Sequence, residues 1–247
     1  DYNKIKHHLY GFQNVKKNFS SGDWLKLVNK KILEIKKRKR IPILVGGTGL
    51  YFKALIQGLV NIPNIPIKFR KKIRSLHKKI GSEKFFSKLL KLDPRSKKHI
   101  KPSDTQRSIR AYEVKLFTNR SLYEWFKNTR STYEDKDFFK IYVNYPRSEL
   151  IKRINLRTEN MIQKGAVSEV KKIINLKIAR SKPAFKAIGI DEIRRYLDKK
   201  IKIADVIEKI SIKTRQYAKR QTTWGRSNML DWNKIDSDGL NKFLKKI

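Results

Sequence analysis

The turn Val45-Gly-Gly-Thr-Gly-Leu-Tyr51 concentrates residue types that can hold an anion. Glycines directly after a strand let backbone N–H groups approach a ligand, the helix that follows points its positive end at the same place, and Thr48 adds a hydroxyl. The same spacing also suits a tight strand-to-helix turn that binds nothing, and the pattern by itself does not separate the two. It is not a Walker A loop, because no Gly-Lys-Ser/Thr follows and that loop's pattern occurs nowhere in the 247 residues.

Three basic groupings stand beside it. Gln106 and Arg110 align at i, i+4 near the start of a helix, with Arg107 next to them. An amide beside a guanidinium fork suits nucleic acid, where arginine takes phosphate or guanine and glutamine reads adenine; Glu113, three residues on, offers an intrahelical salt bridge instead. On a helix expected over 148–164, Arg157 falls between Ile154 and Met161 on an apolar seam that also carries Leu150. A guanidinium desolvated there needs an anion, either a carboxylate of this chain or a ligand phosphate. Arg153, one turn earlier, shares that role or is solvated. In the last long helix Ile207, Ile210, Tyr217 and Trp224 form an apolar stripe, and Arg215, Lys219, Thr222 and Arg226 line a neighbouring face. That basic line suits a phosphate backbone, and Trp224 either stacks on a base or packs inward.

The elements that must position these residues follow from periodicity. Ile41-Pro-Ile-Leu-Val45 is a continuous apolar run, the pattern of a strand buried on both faces of a parallel sheet. Trp24, Leu27, Val28, Ile32 and Ile35 predict a helix over 21–37, and another begins at Leu50. Pro63 and Pro66 mark a linker, after which the segments to Asp137 read as helices without a strand. Ser103-Asp-Thr-Gln106 has capping-box spacing and opens a helix to Phe117. A second strand is expected over 138–143, then helices over 148–164, 167–176, 191–197 and 204–225. Residues 1–65 and 138–247 are thus expected to form an α/β core, and 66–137 a helical insertion.

Composition bounds the function. The formal charge is +39, from 61 Lys plus Arg against 22 Asp plus Glu, which favours a polyanionic partner such as RNA. Much of the excess is lysine in a chain rich in Ile and Asn, a general bias that weakens the inference. With no cysteine, thiolate metal sites and disulfides are excluded, and the adjacent His7 and His8 would not share a face of a regular element. No run reaches the roughly 18 apolar residues of a membrane helix. No signal-peptide order is present, and a cytoplasmic location is expected. The chain opens on Asp1 instead of methionine, and a fragment is expected.

Four stretches, in order and spacing, resemble the tRNA dimethylallyltransferase (tRNA isopentenyltransferase) family: Ile43 to Tyr51, Asp104 to Val114, Lys186-Ala-Ile-Gly189, and Ala218-Lys-Arg-Gln-Thr-Thr-Trp224. The resemblance implies a P-loop NTPase-like parallel-sheet core interrupted by an all-helical insertion domain. It implies dimethylallyl diphosphate and the tRNA anticodon stem-loop as substrates, Mg2+ in the full-length protein, no membrane, and a monomer. The adenosine 3′ of the anticodon is flipped out and its N6 amine attacks the prenyl C1. Thr48 would face that adenosine and Arg157 would hold the diphosphate. Arg70, the segment Gln106, Arg107, Ser108, Ile109 and Arg110, then Lys186 and Gly189, and finally Lys219, Arg220, Gln221, Trp224 and Arg226 would contact tRNA. No metal ligand is assigned to this chain.

Departures from the family are also legible. Its P-loop and catalytic aspartate have no counterpart in these residues, so the chain alone is expected to be inactive. Ile190-Asp191 replaces a usual Tyr-Arg, and Gly225 stands where a bulkier residue is common, which is expected to fray the helix before Arg226. The alternatives are a noncatalytic basic RNA-binding protein and an enzyme that prenylates free adenylate.

Overall fold

The Ser20 hydroxyl accepts the Asp23 amide at 3.1 Å while the Asp23 carboxylate accepts the Ser20 amide at 2.9 Å. This reciprocal cap starts α1, Ser21–Lys37, which buries Val28 and Ile32. The hydrogen bond from the Ser20 hydroxyl, then that from its amide, holds the Asp23 carboxyl below its ordinary value. A carboxyl lowered on folding stabilises fully above its unfolded pKa, about 4, and loses that contribution as pH falls through the folded value. Amides in the first turn of α1 are therefore expected to exchange more slowly than in Asp23→Ala at neutral pH, with the difference closing as pH falls through the folded value. Equal protection at neutral pH would remove the cap from the account.

The computed structural model describes residues 5–179 and 182–245, so Asp1 and Ile247, the outer bounds of the expected core, lie outside the described residues. Two compact units divide the chain: Asp1–Phe52 with Asp135–Ile247, and Lys53–Glu134.

The second unit is helical among its described residues. It contains most of α2, Gly49–Gln57, whose Leu55 carbonyl accepts from the Ser131 hydroxyl at 2.9 Å. Gly58, at φ +86°, lies where a Cβ would strike the backbone of Arg130 and Ser131. These contacts put the division inside α2, ahead of Pro63 and Pro66. Next comes α3, Ile67–Leu92, broken at Gly81 with φ +78°. The helix α4, Thr105–Thr118, is capped by Asp104, whose carboxylate accepts the Arg107 amide at 3.1 Å. The cap therefore sits one residue past the expected Ser103, because Asp104 is the side chain that reaches a free amide of the first turn. A Ser121–Glu124 capping box opens α5, Leu122–Lys127. Phe85, Leu89, Ala111 and Val114 are fully buried between α3 and α4. Buried Asp93 ties the chain behind α3 to α5, accepting from Ser96 Oγ at 3.1 Å and Ser121 Oγ at 2.8 Å.

In the first unit β1, Ile141–Asn144, pairs in parallel with β2, Asn233–Asp236, in the register Ile141 to Asn233. Parallel strands need a long crossover. It is supplied by α6, Arg147–Met161, a π-helical turn over Ile162–Ala166, α7, Val167–Asn175, α8, Ile190–Leu197, and α9, Ile203–Asn228. A short α10, Leu240–Leu244, follows β2. Ala166, Val170, Ile193, Val206 and Ile210 form the core beneath these helices. The strand begins at Ile141, later than the expected 138, with the Asn233 amide donating to the Lys140 carbonyl at 3.0 Å and the Lys140 ammonium paired with Asp135 at 2.7 Å and with Asp231.

Two sequence expectations are corrected here. Ile41, Ile43 and Val45 form no strand and are 86%, 83% and 83% exposed. A doubly buried strand needs a ladder partner on each side, and none of the described residues pairs with this run. Gly225 does not fray α9, which continues to Asn228 with the Met229 amide on the Gly225 carbonyl at 2.9 Å. Gly225 is buried against Tyr142, where an added Cβ would lie 2.6 Å from the ring. The glycine lets α9 approach β1. Among the described residues no helix is long and apolar enough to cross a membrane.

Candidate functional site

The glycine turn meets α9. Trp24 stacks on Tyr51 with ring centroids 4.4 Å apart, fixing the start of α2 against α1. At Gly47 a Cβ would collide with the Gln221 amide, and at Gly49 with the Trp224 indole. These glycines therefore serve a close approach by α9 side chains, where the sequence left open a ligand or an empty turn. Thr48 is exposed between them, its Oγ1 3.5 Å from the hydroxyl of Tyr217. Tyr217, placed on the apolar stripe by spacing, is 39% exposed, and Val206 and Ile210 carry the buried part of α9. Further along, Lys219, Arg220 and Trp224 line an open groove with Gln216, Thr223 and Ser227. The Arg220 guanidinium lies 5.6 Å from the Tyr217 ring, and Arg226 is exposed beyond. Thr48, Gln221 and Trp224 are thus brought together, with a basic line beside them.

Arg157 differs from expectation in its burial. The buried positions of α6 are Ile154 and Thr158, and Arg157 beside them is exposed, because a helix turn carries it off the seam that Ile154 defines. It forms no ion pair with a carboxylate among the described residues. Arg153 is engaged by Tyr145, donating to the phenol oxygen and lying 4.9 Å from the ring.

On α4 the expected contact segment splits by face. Gln106 and Arg107 are exposed, with Arg107 paired to Asp104 at 3.0 Å. Ser108 is buried, and Ile109 packs on the core. Arg110 makes the intrahelical pair with Glu113 at 3.7 Å that its spacing offered, and Arg70 of α3 reaches the same carboxylate at 3.3 Å. Burial lowers the Arg110 pKa, with Glu113 opposing the shift. Lys186 is exposed, whereas Gly189 is buried at the start of α8 with φ +106°. Its amide donates to Glu192 at 3.0 Å, and Glu192 also pairs with Lys213. Asp191 is held by Arg194 at 2.6 Å.

Spacing missed Tyr217 and Arg74. An exposed tyrosine on an apolar stripe carries no signal in the sequence. Arg74, one helical turn after Arg70, had the i, i+4 signal but lacked a visible partner. Among the described residues no group of three or more His, Asp or Glu gathers that could hold a metal ion.

A family model described as IPP transferase matches residues 1–228. A tRNA dimethylallyltransferase of Pelagibacter ubique (strain HTCC1062) is 54% identical, over 98% of this chain and 78% of its own length. One of Rickettsia massiliae (strain Mtu5) is 39% identical, over 92% of this chain and 63% of its own length. The crystal structure of the tRNA isopentenylpyrophosphate transferase from Bacillus halodurans is similar with a TM-score of 0.62 at 31% identity, covering 94% of this chain and 72% of that one. A eukaryotic dimethylallyltransferase acting on tRNA shares the fold with a TM-score of 0.75 at 24% identity, over 91% and 58%. The chain belongs to the IPP transferase family and is a prenyl-transferring enzyme by that membership.

Proposed function

We propose that the protein transfers a dimethylallyl group from dimethylallyl diphosphate to N6 of the adenosine 3′ of the tRNA anticodon. The observation that carries this reading is the meeting of two distant stretches, with Thr48 exposed where Gln221 and Trp224 of α9 close on Gly47 and Gly49. That surface offers a hydroxyl, an amide and an indole to a flipped base, with Lys219, Arg220 and Arg226 beside it for the backbone.

In the reaction the N6 amine forms a bond to C1 of the prenyl group and the C1–O bond breaks. The electron pair leaves with diphosphate, and the amine proton passes to a carboxylate base that the family places outside these residues. Arg157, exposed and unpaired with any carboxylate among the described residues, is the group of this chain that would meet the growing diphosphate charge. Gln106, Arg107 and Arg110, with Arg70, would grip tRNA from the second unit. Lys186 fits a backbone contact, whereas the role of Gly189 is to admit a positive φ. The P-loop NTPase-like core, the insertion at 66–137, the monomeric state and the cytoplasmic location rest on the resemblance. Mg2+ would accompany the diphosphate and help to neutralise its charge, as the resemblance implies.

The test supplies tRNA and labelled dimethylallyl diphosphate to the product of the complete gene carrying these residues, with mass analysis of the released nucleosides. N6-dimethylallyl adenosine from tRNA is the expected product, unaffected by excess AMP. Transfer to AMP in preference to tRNA, or binding by the complete product without transfer, would overturn the proposal.

A further inference from the structure

In the second unit, α3 and α4 place three guanidinium groups around one carboxylate. Glu113 Oε2 lies 3.3 Å from Arg70 Nε and 3.7 Å from Arg110 Nη1, and Oε1 lies 3.8 Å from Arg74 Nε. The carboxylate is 1% exposed, whereas the arginine side chains are 41% exposed at Arg70 and Arg110 and 60% at Arg74. One buried negative charge therefore holds three cations whose outer faces reach solvent, with two positive charges in excess. The contacts do not use up the available hydrogen bonding. Glu113 Oε1 and Arg70 Nε are both buried without a hydrogen-bond partner, so charge at ion-pair distance gathers the group. Each guanidinium has five N–H donors, and most stay available to a further acceptor.

Three forks converging with unmet charge suit a tetrahedral oxyanion better than a carboxylate, because a phosphate has several oxygens for separate donors. The neighbouring turns of α4 expose Gln106 and Arg107, which extends the surface beyond one small anion. We propose that Glu113 is a positioning residue that fixes Arg70, Arg74 and Arg110 as a cradle for a single phosphate of an RNA backbone. This rests on the reading that the protein binds tRNA, and it adds to that reading Arg74, Glu113 and the group they serve.

The experiment follows tRNA affinity against salt concentration for the product of the complete gene and for Arg74→Ala, Glu113→Gln and the double variant. Inorganic phosphate is added as competitor, and thermal melting checks the fold. Absence of tRNA binding by the unsubstituted protein would sink the underlying reading, whatever the arginines do. Given binding, Arg74→Ala is expected to weaken it and to flatten the slope of log K against log salt by about 0.7 to 0.9, one phosphate contact. It should raise KM for tRNA without changing kcat, and Arg74→Lys should recover only part of the loss. Glu113→Gln makes the protein more positive, so bulk electrostatics requires tighter binding, whereas positioning requires weaker binding and little further loss from Arg74→Ala in that background. Tighter binding by Glu113→Gln, or an unchanged slope in Arg74→Ala, overturns the proposal. Inorganic phosphate should displace tRNA more readily from proteins that keep Arg74; phosphate that binds at Arg74 without weakening tRNA binding would assign the cradle to a free anion and overturn the proposal too. Should Glu113→Gln fail to fold, the slope of Arg74→Ala, at an exposed position, decides alone.

Discussion

Arg157→Ala is expected to lower kcat/KM for dimethylallyl diphosphate in the complete protein by about a hundredfold to a thousandfold, with the melting temperature unchanged. The two halves of this expectation have separate causes. The side chain is exposed on α6 and has no carboxylate partner among the described residues, so its removal leaves neither a cavity nor an unpaired buried charge there. Surface changes of that kind stay within about 0.5 kcal/mol. On the role proposed for Arg157, the catalytic loss comes from the diphosphate, whose charge grows as the C1–O bond breaks and would have one cation fewer to meet it. Arg157→Lys should restore the charge but not the two-pronged geometry, and so only part of the rate. Steady-state kinetics with both substrates varied would check this. A variant with unaltered kinetics would leave Arg157 as a solvated surface residue.

Phe85→Ala is expected to cost about 3 to 5 kcal/mol, a large share of a domain stability of about 5 to 15 kcal/mol. The ring is fully buried, packed on His77 and on Tyr112 with centroids 5.0 Å away in each case. Tyr112 is next to Glu113 on α4, so the same packing sets the side chains that carry the arginine cradle. Urea unfolding followed by circular dichroism should show the loss, and tRNA binding should fall with it under conditions where the second unit opens. A cost below about 1 kcal/mol would mean that the site collapses around the vacancy, and that this ring does not set the α3–α4 spacing.

Much of the local structure was legible because its signals are short in range. The span of α1 follows from a run of apolar residues at helical spacing, all within one element. The series of helices after the linker, and the later ones up to α9, have the same origin. The Arg110–Glu113 pair was also offered by spacing, since three residues on a helix bring side chains into reach. Other readings failed where the deciding partner is remote. Ile41 to Val45 has the composition of a buried strand, but a strand exists through its neighbours, and the pattern of one segment does not supply them. Arg157 was placed on a seam by counting residues, whereas burial depends on which neighbour the helix actually meets.

By itself the sequence determined the main helical segments, the excess of positive charge and the four ordered stretches that mark the family. Each is fixed by residue type and near spacing. Only the tertiary structure decided that Gly47 and Gly49 make room for Gln221 and Trp224, that Gly225 makes room for Tyr142, and that Arg70 and Arg74 share a carboxylate with Arg110. These are contacts between residues far apart in the chain. Their formation depends on how whole elements bury apolar surface against one another, which no local pattern encodes.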